Sequence, residues 1–210
     1  MTDLRHFKTL ARNWEAFAQT DPLFGVLSDP AKYGGQWNVG EFFASGDEHI
    51  RQTLGWLSER GVRFEAGSCL DFGCGLGRLT RPLSEHFERT VGVDVSRSMI
   101  DAARKHQDPR HRVEFVHNPH PDLRLFRGDT FDVVHTSLVL QHIPPDVSLR
   151  YIAEFFRVVR PGGVVVFQLP SERFTEDAIT ARYRLPADGF AAALEIVDAP
   201  GCLEADGRGT

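Results

Sequence analysis

Residues 70–87 read LDFGCGLGRLTRPLSEHF. An apolar run leads into three alternating glycines, Gly73, Gly75 and Gly77. Leu76, Leu79, Leu83 and Phe87 then recur at helical spacing. The pattern predicts a strand, a glycine turn and a helix. Such a turn presents backbone N–H groups at the mouth of a parallel sheet, where nucleotide ligands bind. Glycine lets the backbone approach a ligand closely and take up positive φ. The spacing is GxGxG, not the GxGxxG of dinucleotide sites, and Asp71 stands two residues before the first glycine. A carboxylate there opposes a pyrophosphate, because two anions repel in a low-dielectric cleft. It suits a ligand that brings a cationic amino group.

Outward from this turn, short β-rich runs alternate with helical stretches. SCLDFG (68–73), TVGVDVS (90–96), VEFVHN (113–118), FDVVHTS (131–137) and GGVVVFQL (162–169) are five expected strands. They are almost continuously apolar, as strands buried on both faces must be. A helix capped by Ser96 carries Met99, Ile100 and Ala103. Another follows Pro144 and Pro145 and carries Ile152, Phe155, Phe156 and Val159. This alternation specifies an α/β chain with a doubly wound, Rossmann-like, mostly parallel sheet.

Residues 1–64 form the expected helical lid. One helix over 4–18 places Leu4, Phe7, Leu10, Ala11, Trp14, Phe17 and Ala18 on one face. A second, capped by Asp47, buries Ile50, Leu54 and Leu57. Residues 65–185 are the expected nucleotide-binding domain. SERFTEDAITARYRL (171–185) reads as a helix and AALEIVDAP (192–200) as a strand. Residues 186–210 are expected to be a strand and tail that open a further, truncated domain.

Asp94 ends the second expected strand, 23 residues after Asp71. An acid at about this spacing accepts both ribose hydroxyls. Alone it fits NAD equally well; with Asp71 it does not. S-adenosylmethionine (SAM) matches the pair, since it carries an α-ammonium group and an adenosine but no phosphate.

DFGCGLGRLTRPLSEHF (71–87), TVGVDVSRSMIDAARKH (90–106), FDVVHTSLVLQHIPP (131–145) and VVRPGGVVVFQLP (158–170) resemble, in order, the motifs of class I SAM-dependent methyltransferases of the small-molecule type. The resemblance spans about residues 65–170. It implies a seven-stranded sheet closed by an antiparallel hairpin, of which this chain has room for one strand. It also implies that Asp71, Gly73, Cys74, Gly75 and Gly77 hold the methionine end of SAM. Arg78 would approach the cofactor carboxylate, or simply lie on a solvated helix face. Asp94 would bind the ribose, with Val95 and Met99 flanking the adenine. Asn118 stands where an acid is common in the family, and an extra residue precedes Asp122 and Leu123, the expected adenine edge. Thr136, Ser137 and Leu138 would lie beside the sulfonium.

Methyl transfer from a sulfonium requires a nucleophile on the methyl axis in a dry pocket. A base is needed only if the acceptor must lose a proton. His142 follows the fourth strand and is the candidate base; capping the loop or shaping the pocket are its alternatives. His135 reads as a packing residue of its strand. Trp14, Phe24, Tyr33, Trp37, Phe42 and Phe43 make the N-terminal region aromatic. Trp37 and Phe43 are the expected pocket walls, with Gly40 and Gly46 as lid hinges. No metal is expected: His111, His117, His120 and Asp122 match no ligand spacing.

The expected function is methylation, at oxygen or nitrogen, of a small metabolite that is aromatic or bears a sugar. The rivals are a non-catalytic SAM-binding module and an NAD-dependent oxidoreductase. A formal charge of −5 gives no field that would attract nucleic acid or an anionic membrane. No apolar run is long enough to span a bilayer. The first residues lack a secretory pattern, and Cys69, Cys74 and Cys202 form no framework, so a cytoplasmic location is expected.

Overall fold

The structure, a computed structural model, describes residues 4–169. Three helices come first: α1 (Leu4–Thr20), α2 (Pro22–Val26) and α3 (Val39–Glu59). Then follow β1 (Ser68–Phe72), α4 (Thr80–Leu83), β2 (Arg89–Asp94), α5 (Arg97–Lys105), β3 (Val113–His117), β4 (Phe131–Thr136), α6 (Pro145–Val158) and β5 (Val159–Phe167). All five expected strands are present. They form one parallel sheet in the order β3-β2-β1-β4-β5. Strand order reverses between β1 and β4, which opens a crevice at their carboxyl ends.

Alternate side chains of β1 serve opposite layers, as the twofold pleat dictates. Cys69 packs with Ile50 of α3 and with Leu79 and Leu83. Leu70 and Phe72 pack with Val147, Ile152 and Phe155 of α6. Asp71 therefore shares the face of Cys69, beneath the glycine turn and α3. Both faces are covered, which explains why the strands read as apolar runs rather than alternating ones. Among the described residues, no helix is long and apolar enough to cross a membrane.

Three local expectations need correction. Helix α3 begins at Val39, not after Asp47, because the Asn38 side chain caps it by accepting from the Glu41 amide at 3.1 Å. Gly40 and Gly46 therefore lie inside one continuous helix and are not hinges. Gly46 is small for packing: a Cβ there would lie 2.0 Å from the Arg78 carbonyl oxygen. The segment after the glycine turn is mostly turns, with only Thr80–Leu83 α-helical. The closing hairpin, the helix over 171–185 and the strand over 192–200 lie outside the described residues.

Gly46→Ala tests the α3 contact. The added methyl must push α3 off the Arg78 backbone, so unfolding stability should fall by about 1–3 kcal/mol. Urea denaturation followed by circular dichroism measures it.

Candidate active site

The glycine turn is pinned from beneath by β2. The Gly73 and Cys74 amides donate to the Val93 carbonyl at 2.8 and 3.1 Å. Gly73, Gly75 and Gly77 all have positive φ, at 73°, 52° and 82°. Each is also closely approached. A Cβ on Gly73 would lie 2.5 Å from Val139, one on Gly75 2.4 Å from Val26, and one on Gly77 2.6 Å from Phe115. Backbone conformation and packing both require glycine here.

Asp71 is only 2% exposed. Thr80 Oγ1 donates to Asp71 Oδ2 at 2.6 Å, and His135 Nδ1 lies 3.1 Å from Asp71 Oδ1. His135 is the register partner of Asp71 across β1 and β4. It is thus more than a packing residue: it fixes the carboxylate. His49 of α3 stands edge-on to His135, with ring centroids 6.4 Å apart. Burial, aided by the nearby Arg78 cation, holds the His49 imidazole down at about 4, so it is neutral at pH 7.

Asp94 spans two elements. Its Oδ2 accepts from the Gly75 amide at 2.9 Å and its Oδ1 from the Ser96 amide at 2.8 Å. Ser96 caps α5 as expected, accepting from the Met99 amide at 3.1 Å.

Asp71 and Asp94 line one cavity, together with Gly73, Cys74, Gly75 and Arg78. Val95, Met99, Asn118, Ser137 and Leu138 line it too. Arg78 is 4% exposed, and its Nε has no hydrogen-bond partner among the described residues. Burial lowers its pKa to about 10, opposed by the Asp71 charge, and leaves it cationic at pH 7. Leu138 adopts φ +61°, rare and strained for a branched side chain, at the cavity edge. The Asn118 amide donates to the Asp94 carbonyl at 2.8 Å, so its buried side chain enters the same wall.

Other expected site residues stand elsewhere. Gly77 and Thr136 are buried and do not line the cavity. Leu123 is fully buried in the core on the α6 face, and the Asp122 carboxylate is held by Arg124 at 2.6 Å. Neither forms the cavity edge assigned to it. Trp37 donates to the Leu27 carbonyl at 3.0 Å and packs edge-on to Phe42. Phe43 is buried beneath the Arg81 guanidinium, 4.0 Å from its ring centroid. The lid walls are instead Phe7, Leu10 and Trp14 of α1, with Gly25 and Val26 of α2. The helical periodicity of the α1 residues was legible, but it does not distinguish a core face from a cavity wall. Tyr151, Ile143 and Val139 complete the apolar side. His142 does not line the cavity and stays exposed; its ring packs edge-on to Trp14 at 5.4 Å, and desolvation on that side lowers its pKa. Among the described residues, no group of three or more His, Cys, Asp or Glu side chains is placed to hold a metal.

The profile of the family described as "Methyltransferase domain" matches residues 70–167. A ubiquinone biosynthesis O-methyltransferase of Coxiella burnetii is 28% identical over 118 residues, 55% of this chain and 49% of that protein. A trans-aconitate 2-methyltransferase of Azoarcus sp. is 31% identical over 137 residues, 64% of this chain and 51% of that protein. The fold matches phosphoethanolamine N-methyltransferase 1 of Haemonchus contortus with a TM-score of 0.62 at 14% identity, covering 89% of this chain and 38% of that one. Residues 70–167 therefore match a methyltransferase domain family, and SAM is the cofactor expected from the sequence. It spans about half the length of the curated relatives it matches.

The site's donor set fits that cofactor. Asp71 would offer an anion to the α-ammonium, and Arg78, whose Nη1 donates to Ser45 Oγ at 3.3 Å while its Nε has no partner among the described residues, would offer a cation to the α-carboxylate. Asp94 would offer acceptor oxygens to ribose hydroxyls. Burial pushes the Asp94 carboxyl up to about 6, although the Ser96 and Gly75 amides pull it down. Hydroxyls donate best to the ionised form. Affinity for S-adenosylhomocysteine should therefore be full above pH 6 and decline as pH falls through 6, by about tenfold per unit. Calorimetric titrations between pH 5 and 8 measure this decline.

Proposed function

We propose that this chain methylates an oxygen of a small, largely apolar or aromatic acceptor. One observation carries the reading. A single cavity joins the cofactor-type pair Asp71 and Asp94 to a wall of Phe7, Leu10, Trp14, Ile143 and Tyr151. Tyr151 presents its ring there, because its hydroxyl donates to the His120 carbonyl at 2.9 Å. That wall adds no charged side chain, so it favours an uncharged acceptor over a phosphate or an ammonium. The O-methyltransferase name of the Coxiella relative supports oxygen.

SAM would supply an activated methyl group: the new O–C bond forms as its sulfonium C–S bond breaks and leaves the electron pair on sulfur, and the proton of a phenolic or enolic acceptor is lost to solvent on its ionisation before transfer. The protein's part is positioning and exclusion of water. Asp71 and Arg78 anchor the amino-acid end, and Asp94 anchors the ribose. The apolar wall holds the acceptor oxygen on the transfer axis. In our reading His142 acts through Trp14, as a shaper of the wall rather than as the proton acceptor.

Turnover with tritiated SAM against a panel of phenolic, enolic and amine acceptors tests the proposal. Methylation of an oxygen acceptor is expected. Binding without turnover on any acceptor would favour a non-catalytic module. His142→Ala should raise the acceptor KM and lower kcat by less than about tenfold, whereas losing a general base costs about 10²–10⁴.

A further inference from the structure

Helix α1 supplies three of the cavity walls, yet the face of α1 that holds it in place carries a carboxylate. Glu15, next to Trp14 in sequence, reaches the first turn of α5. Ser96 Oγ donates to Glu15 Oε2 at 2.8 Å and the Ser98 amide donates to the same oxygen at 3.3 Å. Ser98 Oγ donates to Glu15 Oε1. Gln19, one turn along α1, donates to Glu15 Oε1 at 3.2 Å. These α5 contacts join residues 81 to 83 positions apart in the chain. An anion at this end of α5 is favoured both by the free amides of the first turn and by the helix dipole. Burial pushes the carboxyl pKa up, but the hydrogen bonds from Ser98, Ser96 and Gln19 outweigh it and hold it at about 2. Glu15 is thus ionised at any working pH.

The contact reaches the cofactor site through one residue. Ser96 donates its hydroxyl to Glu15, accepts from the Met99 amide, and donates its own amide to Asp94 at 2.8 Å. The clamp on the lid and the support of the ribose-binding carboxylate therefore share a side chain.

We propose that Glu15 is a positioning residue for the cofactor: its bonds to Ser96 and Ser98 latch α1 over the cavity and set how long the cofactor stays bound. The inference rests on the SAM reading of the cavity. When the latch is made, Phe7, Leu10 and Trp14 close the site; when it is lost, α1 swings on its connection to α2 and the cofactor escapes.

The test compares the wild-type chain with Glu15→Ala in two measurements. The first is hydrogen exchange of the ligand-free protein. Amides of α1 should exchange at least tenfold faster in the variant, with those of β1, β4 and α6 unchanged. The second is stopped-flow binding of S-adenosylhomocysteine. Its dissociation rate should rise about tenfold with no fall in the association rate, a pattern that general destabilisation does not produce. Glu15→Asp should recover part of the slow dissociation. Should Glu15→Ala fail to fold, Ser98→Ala removes one arm of the latch and should show the same direction of change. A dissociation rate within twofold of wild type, or a slower association with unchanged dissociation, overturns the latch. Failure of the wild type to bind S-adenosylhomocysteine overturns the SAM reading and the cofactor role of Glu15 together, and is told apart by the wild-type trace alone.

Discussion

The Asp94 carboxylate is the constraint on which the site depends. One oxygen holds the Gly75 amide and the other holds the Ser96 amide. The glycine turn after β1 and the start of α5 after β2 are therefore tied to one side chain. A carboxylate so placed pays a desolvation penalty, visible in its raised pKa. Two amide donors offset part of that penalty. In our reading the same group accepts from ribose hydroxyls, so the bonds that organise the glycine turn lie where the ligand must compete.

Around this point, opposite charges are distributed to suit a zwitterion. Asp71 is held by Thr80 and His135 on the face beneath the turn. Arg78 lies buried near it with an unsatisfied Nε. Its Nη1 donates to Ser45 Oγ, but a buried cation with an unpaired N–H is still costly, and a carboxylate brought by a ligand would relieve the cost. Above them the walls are apolar, contributed by α1 and by the segment after β4. Polar anchors on one side and an apolar chamber on the other divide the labour between holding a donor and admitting an acceptor.

Much of the fold was legible because its signals are local. Apolar runs bounded by glycine and proline marked all five strands, and Ser96 and Pro145 marked two helix starts. Asp71 and Asp94 were legible as a pair because an acid beside the glycine turn opposes a pyrophosphate, while one about 20 residues on accepts ribose hydroxyls. The rest depends on long-range contacts that no periodicity encodes. The start of α3 was missed because Asn38 competes with Asp47 as a cap, and only packing decides between them. Trp37 and Phe43 are as aromatic as Trp14, but their partners, Leu27 and Arg81, bury them away from the cavity. The His135–Asp71 bond follows from strand register, which a sequence read one segment at a time does not give.

The most direct test of the account is calorimetric titration at pH 8 of the wild-type chain and of Asp71→Asn, with S-adenosylhomocysteine and with NAD. S-adenosylhomocysteine should bind with micromolar affinity, about −8 kcal/mol, and NAD should not bind. In Asp71→Asn that affinity should fall by at least about tenfold, or about 1.4 kcal/mol. Binding of NAD, or S-adenosylhomocysteine affinity unchanged by the substitution, would contradict it.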